Sequence, residues 1–360
     1  MASPYSGKFA TSSMILPINE RNHPMTDAAK LVELHRNGIL ESTHRGHVVV
    51  CDATGVIAEW GNASQVIFPR SACKMLQALP LVESGAANKY GLEINQLALS
   101  CASHQGAHMH SDLAGEWLNG IGLGEPDLRC GSQTPSDHEA RAMLRENYQS
   151  PCQLHNNCSG KHSGFLTLNK HIGGNAEYIE LDHPVQKAVK AAFEEMTGAT
   201  ALGYGIDGCS APNFTCEVGH LARAMAKMAA PEGLGETRSN AAKRLVQAMM
   251  AYPLLVAGEG RACSALMAAA NGRAAVKTGA EGVFCGIIPE RGIGIALKIE
   301  DGNSRASEMV IAALLVRLGV VNATDPRVSQ YLHRPDINRR GIKAAEFSVR
   351  EEVLAEGKPL

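Results

Sequence analysis

Strand signals stand at the two ends of this 360-residue chain, with a long helical stretch between them. His47-Val48-Val49-Val50-Cys51 runs into an Asp52-Ala53-Thr54-Gly55 turn and on to Val56-Ile57-Ala58-Glu59-Trp60, the pattern of a β-hairpin. Strands return only at 273–277, 282–288 and 292–299, divided by Gly-containing turns. From Pro69 to about Ala251 apolar residues recur at helical spacing and start signals repeat. Asp182 reads as an N-cap ahead of Pro184 and a helix over 185–196; Ser136 and Glu139 are spaced as a capping box before a helix to about Tyr148. Distant strand segments bury their faces best against one another. The expected class is therefore α+β: an antiparallel sheet assembled from both ends, packed by terminal helices such as 304–318, with an inserted helical subdomain. The expected division is an arm over 1–27, a sheet domain from 28–70 and 252–360, and a mainly helical subdomain over 71–251.

Composition narrows the function. With 45% hydrophobic and 19% charged residues the chain is globular rather than disordered, and a net charge of -2 offers no basic footprint for nucleic acid or for a membrane surface. No run approaches the ~18 to 20 apolar residues of a spanning helix, and the first 24 residues lack the basic-then-apolar order of an export signal, so a cytoplasmic protein is expected. Ten scattered cysteines suit a reducing compartment, as thiols or ligands.

Chemistry concentrates in a few short segments. Pro69-Arg70-Ser71-Ala72-Cys73-Lys74 opens a helical run expected over 75–83, which places Ser71 and Lys74 on one face. Serine attacks an amide only with a base beside it, and moving a lysine from about 10.4 to about 7 takes roughly 4.6 kcal/mol, available from burial or a second cation. Lys277-Thr278-Gly279, at the end of a strand, supplies that second lysine. Penicillin-recognising serine hydrolases set a Lys-Thr-Gly strand against a Ser-x-x-Lys helix in the same order. Cys158-Ser159-Gly160-Lys161-His162 opens another helix, where Cys158 is expected to favour thiolate. Gly205-Ile206-Asp207-Gly208-Cys209 brings a further thiol, and by ligand type alone Cys158, His162 and Cys209 make an open zinc site. Ser103 and His104, in Ser100-Cys101-Ala102-Ser103-His104, add a second hydroxyl and an imidazole.

In order along the chain, these motifs resemble the L-asparaginase II family, the rhizobial-type or class 3 asparaginases, from about Ala28 to the C-terminal region. The resemblance implies a fold related to serine β-lactamases and glutaminases, a homodimer, and hydrolysis of L-asparagine to L-aspartate and ammonia. Matched position by position, it implies two catalytic tandems, Ser71 with Lys74 and Ser103 with Lys277. It also implies a Zn2+ held by Cys158, Lys161 and Cys209, in place of the set containing His162. Arg70 suits the substrate α-carboxylate and Asp207 the α-ammonium; His162 and Cys263 are the remaining expected pocket residues. Two alternatives share parts of this pattern: a penicillin-recognising β-lactamase or peptidase, and a zinc-binding protein without enzymatic activity.

Overall fold

Three consecutive valines, 48–50, are fully buried, which a strand achieves only when both faces of its sheet are covered. The computed structural model describes residues 28–354; the expected arm, 1–27, lies outside them. The described strands are β1 (Ala29–Arg36), β2 (Ile39–Asp52), β3 (Gly55–Trp60), β4 (Val66–Ile67), β5 (Tyr204–Ile206), β6 (Pro212–Phe214), β7 (Cys216–Glu217), β8 (Ala275–Thr278), β9 (Val283–Ile288), β10 (Ile293–Ile299), β11 (Arg334–Ile337) and β12 (Lys343–Val349). Eight of them form one antiparallel sheet in the order β11-β12-β1-β2-β10-β9-β8, with β3 also paired to β2. The hairpin read at 47–60 is the β2–β3 pair, and Val49 sits opposite Ala296 of β10, so the two ends of the sequence meet in the centre of the sheet. Two short ribbons, β4–β7 and β5–β6, lie apart from it.

Each face carries a helix. Val218–Ala229 packs against β2 and β10, and Ser304–Arg317 covers the other face near β9 and β10. Gly294 makes the first contact possible: a Cβ there would stand 2.0 Å from the Ala226 backbone nitrogen. Of the remaining helices, Ala262–Ala270 and Glu236–Ala251 pack against β8 and Pro184–Thr197 against β6. Among the described residues no helix is long and apolar enough to cross a membrane.

Several local readings are corrected. His183, not Asp182, caps the helix Pro184–Thr197, its Nδ1 accepting the Val185 N–H at 3.1 Å. Asp137, not Ser136, caps His138–Glu146, accepting the Ala140 N–H at 2.8 Å. In both the capping group stands one residue nearer the helix than expected. The single helix read over 75–83 is two, Lys74–Gln77 and Leu79–Glu83, because Pro80 has no N–H to continue the first. Strands β11 and β12 were not foreseen, although Ala345, Phe347 and Val349 alternate inward with half-buried or exposed neighbours.

Candidate active site

Four chain segments converge beside the edge strand β8. The turn Arg70–Cys73 is tied to the sheet by the Cys285 thiol of β9, which donates to Ala72 O at 3.0 Å. Ser103 follows the helix Ile94–Ser100 and is fixed through its backbone, its N–H donating to Val256 O at 2.9 Å, while the His104 N–H donates to Asn157 O at 3.2 Å. The helix Ser159–Ile172 lies so close to Ile94–Ser100 that a Cβ on Gly160 would stand 2.3 Å from Leu99 O. That contact explains the glycine inside the Cys-Ser-Gly-Lys-His motif: it lets Cys158 reach Lys74, the lysine that also bonds Ser103.

Two buried ammonium groups share one hydroxyl. Lys74 Nζ donates to Ser103 Oγ at 3.0 Å and Lys277 Nζ donates to the same oxygen at 2.9 Å. Lys74 also donates to Ala102 O and to Cys158 Sγ, the latter at 3.0 Å; Lys277 donates to Thr278 O at 2.9 Å. Burial, with Lys74 adding to it, pulls Lys277 down to about 8, against the opposing pull of Cys263. Ser71, half-buried at the start of its turn, has no hydrogen bond from its hydroxyl to any described residue, so the resting partner of Lys74 is Ser103. Cys263 lies behind Lys277, its buried sulfur accepting the Thr278 N–H at 3.2 Å.

The thiols sit on the other side of Lys74. Lys161 Nζ donates to Cys209 Sγ at 3.0 Å, and the Cys158 and Cys209 thiols act on each other's ionisation. Within that pair Cys209 is held well below the ordinary thiol range by Cys158 and, despite its burial, by Lys161. Cys158 is raised, by Cys209 and by burial. The expectation of a lowered Cys158 is not met at rest: a second sulfur beside it and its burial raise the thiol, outweighing the helix N-terminus. Burial disfavours the Lys161 ammonium most, yet Cys209 and Cys158 outweigh it and raise the group above its usual range. His162 is fully buried, with Nδ1 2.9 Å from the Tyr178 hydroxyl. Among the described residues no group of three or more His, Cys, Asp or Glu is disposed to hold a metal ion, so the set Cys158, His162 and Cys209 is not assembled for one. Two thiols with an amine nitrogen are nevertheless a soft donor set of the type zinc takes.

The mouth of the site is polar. Arg70 Nε and Nη2 bond to Asp207 Oδ1 at 3.1 and 2.8 Å, so the two expected substrate-binding residues hold each other. Burial opposes the Arg70 charge, but Asp207 outweighs it and raises the group. A cavity of about 390 Å³ opens here between Phe68, Arg70, Asp207, Asn213, Glu281 and Lys298. Arg70, Ser210 and Glu281 all adopt left-handed backbone conformations, with φ of 51°, 69° and 60°, strain that non-glycine residues keep where a site holds them to it. Asn213 does the holding at Arg70, accepting its N–H at 3.3 Å and donating to its carbonyl at 3.5 Å. Sequence reading missed Asn213 and Tyr178; Asn213 directly follows the Asp207-to-Pro212 motif, whereas Tyr178 has no motif signal. His104 is buried, its Nδ1 accepting the Gly106 N–H at 3.1 Å and its Nε2 3.0 Å from Ser159 Oγ, one residue from Cys158.

Comparison with known proteins agrees on the family and is shallow beyond it. The L-asparaginase II family model matches residues 32–349. No curated protein sequence matches the chain. Among solved structures, a β-lactamase from Mycobacterium bovis is similar at 14% identity over 73% of this chain and 89% of its own, with a TM-score of 0.40. The native form of Mglu is similar at 15% identity over 78% of this chain and 66% of its own, with a TM-score of 0.41.

Proposed function

The chain belongs to the L-asparaginase II family, and from that premise we propose that this asparaginase-type amidohydrolase splits L-asparagine into L-aspartate and ammonia by serine–lysine chemistry. The observation that carries the reading is the convergence of Lys74 and Lys277 on Ser103 Oγ at 3.0 and 2.9 Å. Two adjacent ammonium groups in a dry site repel, so one of them gives up its proton readily, and Lys277 at about 8 is about a tenth neutral at pH 7. A neutral Lys277 takes the proton of Ser103, which is then ready to receive one in turn.

The first reading keeps Ser71 as the attacking group. It follows Arg70 directly; Lys74 first gives a proton to Ser103, which has lost its own to neutral Lys277, and then takes the Ser71 proton once substrate draws the pair together, while the Ser71 backbone N–H, at the start of the turn, faces the oxyanion. Ser103 and Lys277 carry the proton onward to the leaving ammonia, and water then hydrolyses the ester. A second reading makes Ser103 the attacking group, favoured by its being the hydroxyl already bonded to both lysines. In either, the zwitterionic end of asparagine replaces the Arg70–Asp207 ion pair with two of its own, carboxylate to Arg70 and ammonium to Asp207, so neutral amides gain nothing from the exchange.

Cys158, Lys161 and Cys209 would hold zinc, displacing the protons that the thiols and Lys161 carry. When bound, the cation supplies a fixed positive charge that orients the substrate. The order of the Ser-x-x-Lys turn against the Lys-Thr-Gly strand supports a serine β-lactamase and glutaminase type of architecture; a homodimer follows from the family reading, and the ten scattered cysteines suit a cytoplasmic location. Ammonia release from asparagine, glutamine and non-zwitterionic amides, with and without a chelator, tests the proposal: fastest release from asparagine is expected. Hydrolysis of nitrocefin in preference to asparagine would favour the β-lactamase alternative, and no release from any amide the non-enzymatic one.

A further inference from the structure

Tyr178 belongs to none of the motifs, yet it is fully buried against the thiol–amine cluster. Its hydroxyl accepts the Arg129 backbone N–H at 2.8 Å and stands 2.9 Å from His162 Nδ1. A phenol has a single proton to give. Among the described residues Tyr178 has no other acceptor, and a buried hydroxyl whose proton finds none loses about 1 to 3 kcal/mol, so the proton goes to His162 Nδ1. With Nδ1 accepting, the imidazole's own proton stands on Nε2. That nitrogen is sealed from solvent and makes no hydrogen bond among the described residues; Cys209 is the group that most favours the charged imidazole against its burial. The phenol cannot turn away, because the Tyr178 carbonyl accepts the Gln186 side-chain amide at 2.9 Å and its ring meets the His162 ring edge-on at 5.5 Å.

We infer that Tyr178 is a positioning residue of this cluster: the run from Arg129 N–H through Tyr178 O–H to His162 fixes the imidazole as its Nε2–H tautomer and aims that N–H at the Cys209 sulfur. The inference rests on reading Cys158, Lys161 and Cys209 as a functional cluster, and it deepens that reading in two ways. An N–H donated to a sulfur leaves the remaining lone pairs free for a soft divalent cation while fixing the sulfur's orientation, the usual task of groups one step removed from a metal. A nitrogen that carries a proton cannot ligate, so the same relay removes His162 from the donor set and leaves that place to Lys161.

The test uses the full chain with 15N-labelled histidine, and His162→Gln to assign the resonance. The wild type is expected to show His162 protonated at Nε2 and bare at Nδ1, and Tyr178→Phe to shift it toward the Nδ1–H form; a wild-type His162 protonated at Nδ1 overturns the inference. Zinc affinity, measured by competition with a chromogenic chelator, is expected to fall about tenfold in Tyr178→Phe and in His162→Leu, and to stay within a few-fold of wild type in His162→Gln, which keeps an N–H at the Nε2 end. Equal affinity in all four proteins overturns the positioning role. If Tyr178→Phe does not fold, the wild-type tautomer and the two His162 variants still decide the matter. Should the wild type bind no zinc, the metal reading fails while the tautomer result stands by itself.

Discussion

The centre of the sheet and the cluster beside β8 are equally dry, and they are built on opposite principles. Val48, Val49 and Val50 are buried with nothing left to satisfy, and each contributes roughly 1.5 to 3 kcal/mol by leaving water. Lys74, Lys161 and Lys277 are buried to the same degree, and each brings a charge that the interior disfavours. Holding Lys277 at about 8 rather than 10.5 costs about 3 kcal/mol, the same size as a buried valine's gain and of opposite sign. The sheet therefore supplies the stability that the lysine cluster consumes. It also supplies the rigidity: β8 carries Lys277 and β9 anchors the Ser71 turn through Cys285.

Substitutions in the two regions should separate cleanly. The largest effect is expected from Ser103→Ala, which removes the hydroxyl both lysines share and should lower asparagine turnover by at least about 10³-fold with little change in thermal stability. Turnover within tenfold of wild type breaks the account of the cluster. Ser71→Ala distinguishes the two serines: loss of turnover and of any acyl-enzyme supports attack by Ser71, and an acyl group recovered on Ser103 supports the other reading.

Lys277→Met sharpens the comparison, because activity and stability should move in opposite directions. Turnover is expected to fall about 10²- to 10⁴-fold, while stability at pH 7 rises by up to about 3 kcal/mol, less what the lost hydrogen bonds to Ser103 and Thr278 contributed. The sign follows from a folded value below the unfolded one. Below about 8 the lysine is charged in both states and its burial cost is present in full; between about 8 and 10.5 the cost falls away, and above 10.5 it is gone. The stabilisation by Lys277→Met should therefore shrink over that window, as urea unfolding at a series of pH values would show. A constant difference contradicts it.

In the sheet, Val49→Ala should do the reverse, losing roughly 2 kcal/mol of stability while the surviving folded protein keeps its turnover. Smallest in energy is Arg70→Lys, which keeps the charge but not the two-pronged contact with Asp207; it should raise KM for asparagine several-fold more than it changes kcat, and leave KM for non-zwitterionic amides nearly unchanged.

The sequence was most legible where one local rule decided the outcome. Alternating and continuous apolar runs marked β2, β3, β8, β9 and β10, since strand period and burial are written in adjacent residues. The motif residues Ser103, Lys74, Lys277, Cys158, Lys161 and Cys209 do meet, and the motifs that carry them were visible one by one. What stayed hidden depends on which group stands opposite which. Lys74 bonds at rest to the serine 29 residues away rather than to the one three residues before it. Cys209 is lowered and Cys158 raised, an outcome set by the second sulfur and by Lys161 rather than by the helix that Cys158 begins. Tyr178 reads in sequence as an ordinary aromatic, and only its position against His162 and the Arg129 N–H gives it a role.

The pH dependence of kcat/KM for asparagine tests the central claim most directly, that a lysine pair in a dry site makes one amine a base near neutrality. The account predicts a rise with pH governed by an apparent pKa near 8, displaced upward in Lys74→Met, where the neighbouring charge that helps to neutralise Lys277 is gone. A profile with no ionisation between pH 7 and 9, or one unmoved by removing Lys74, would contradict it.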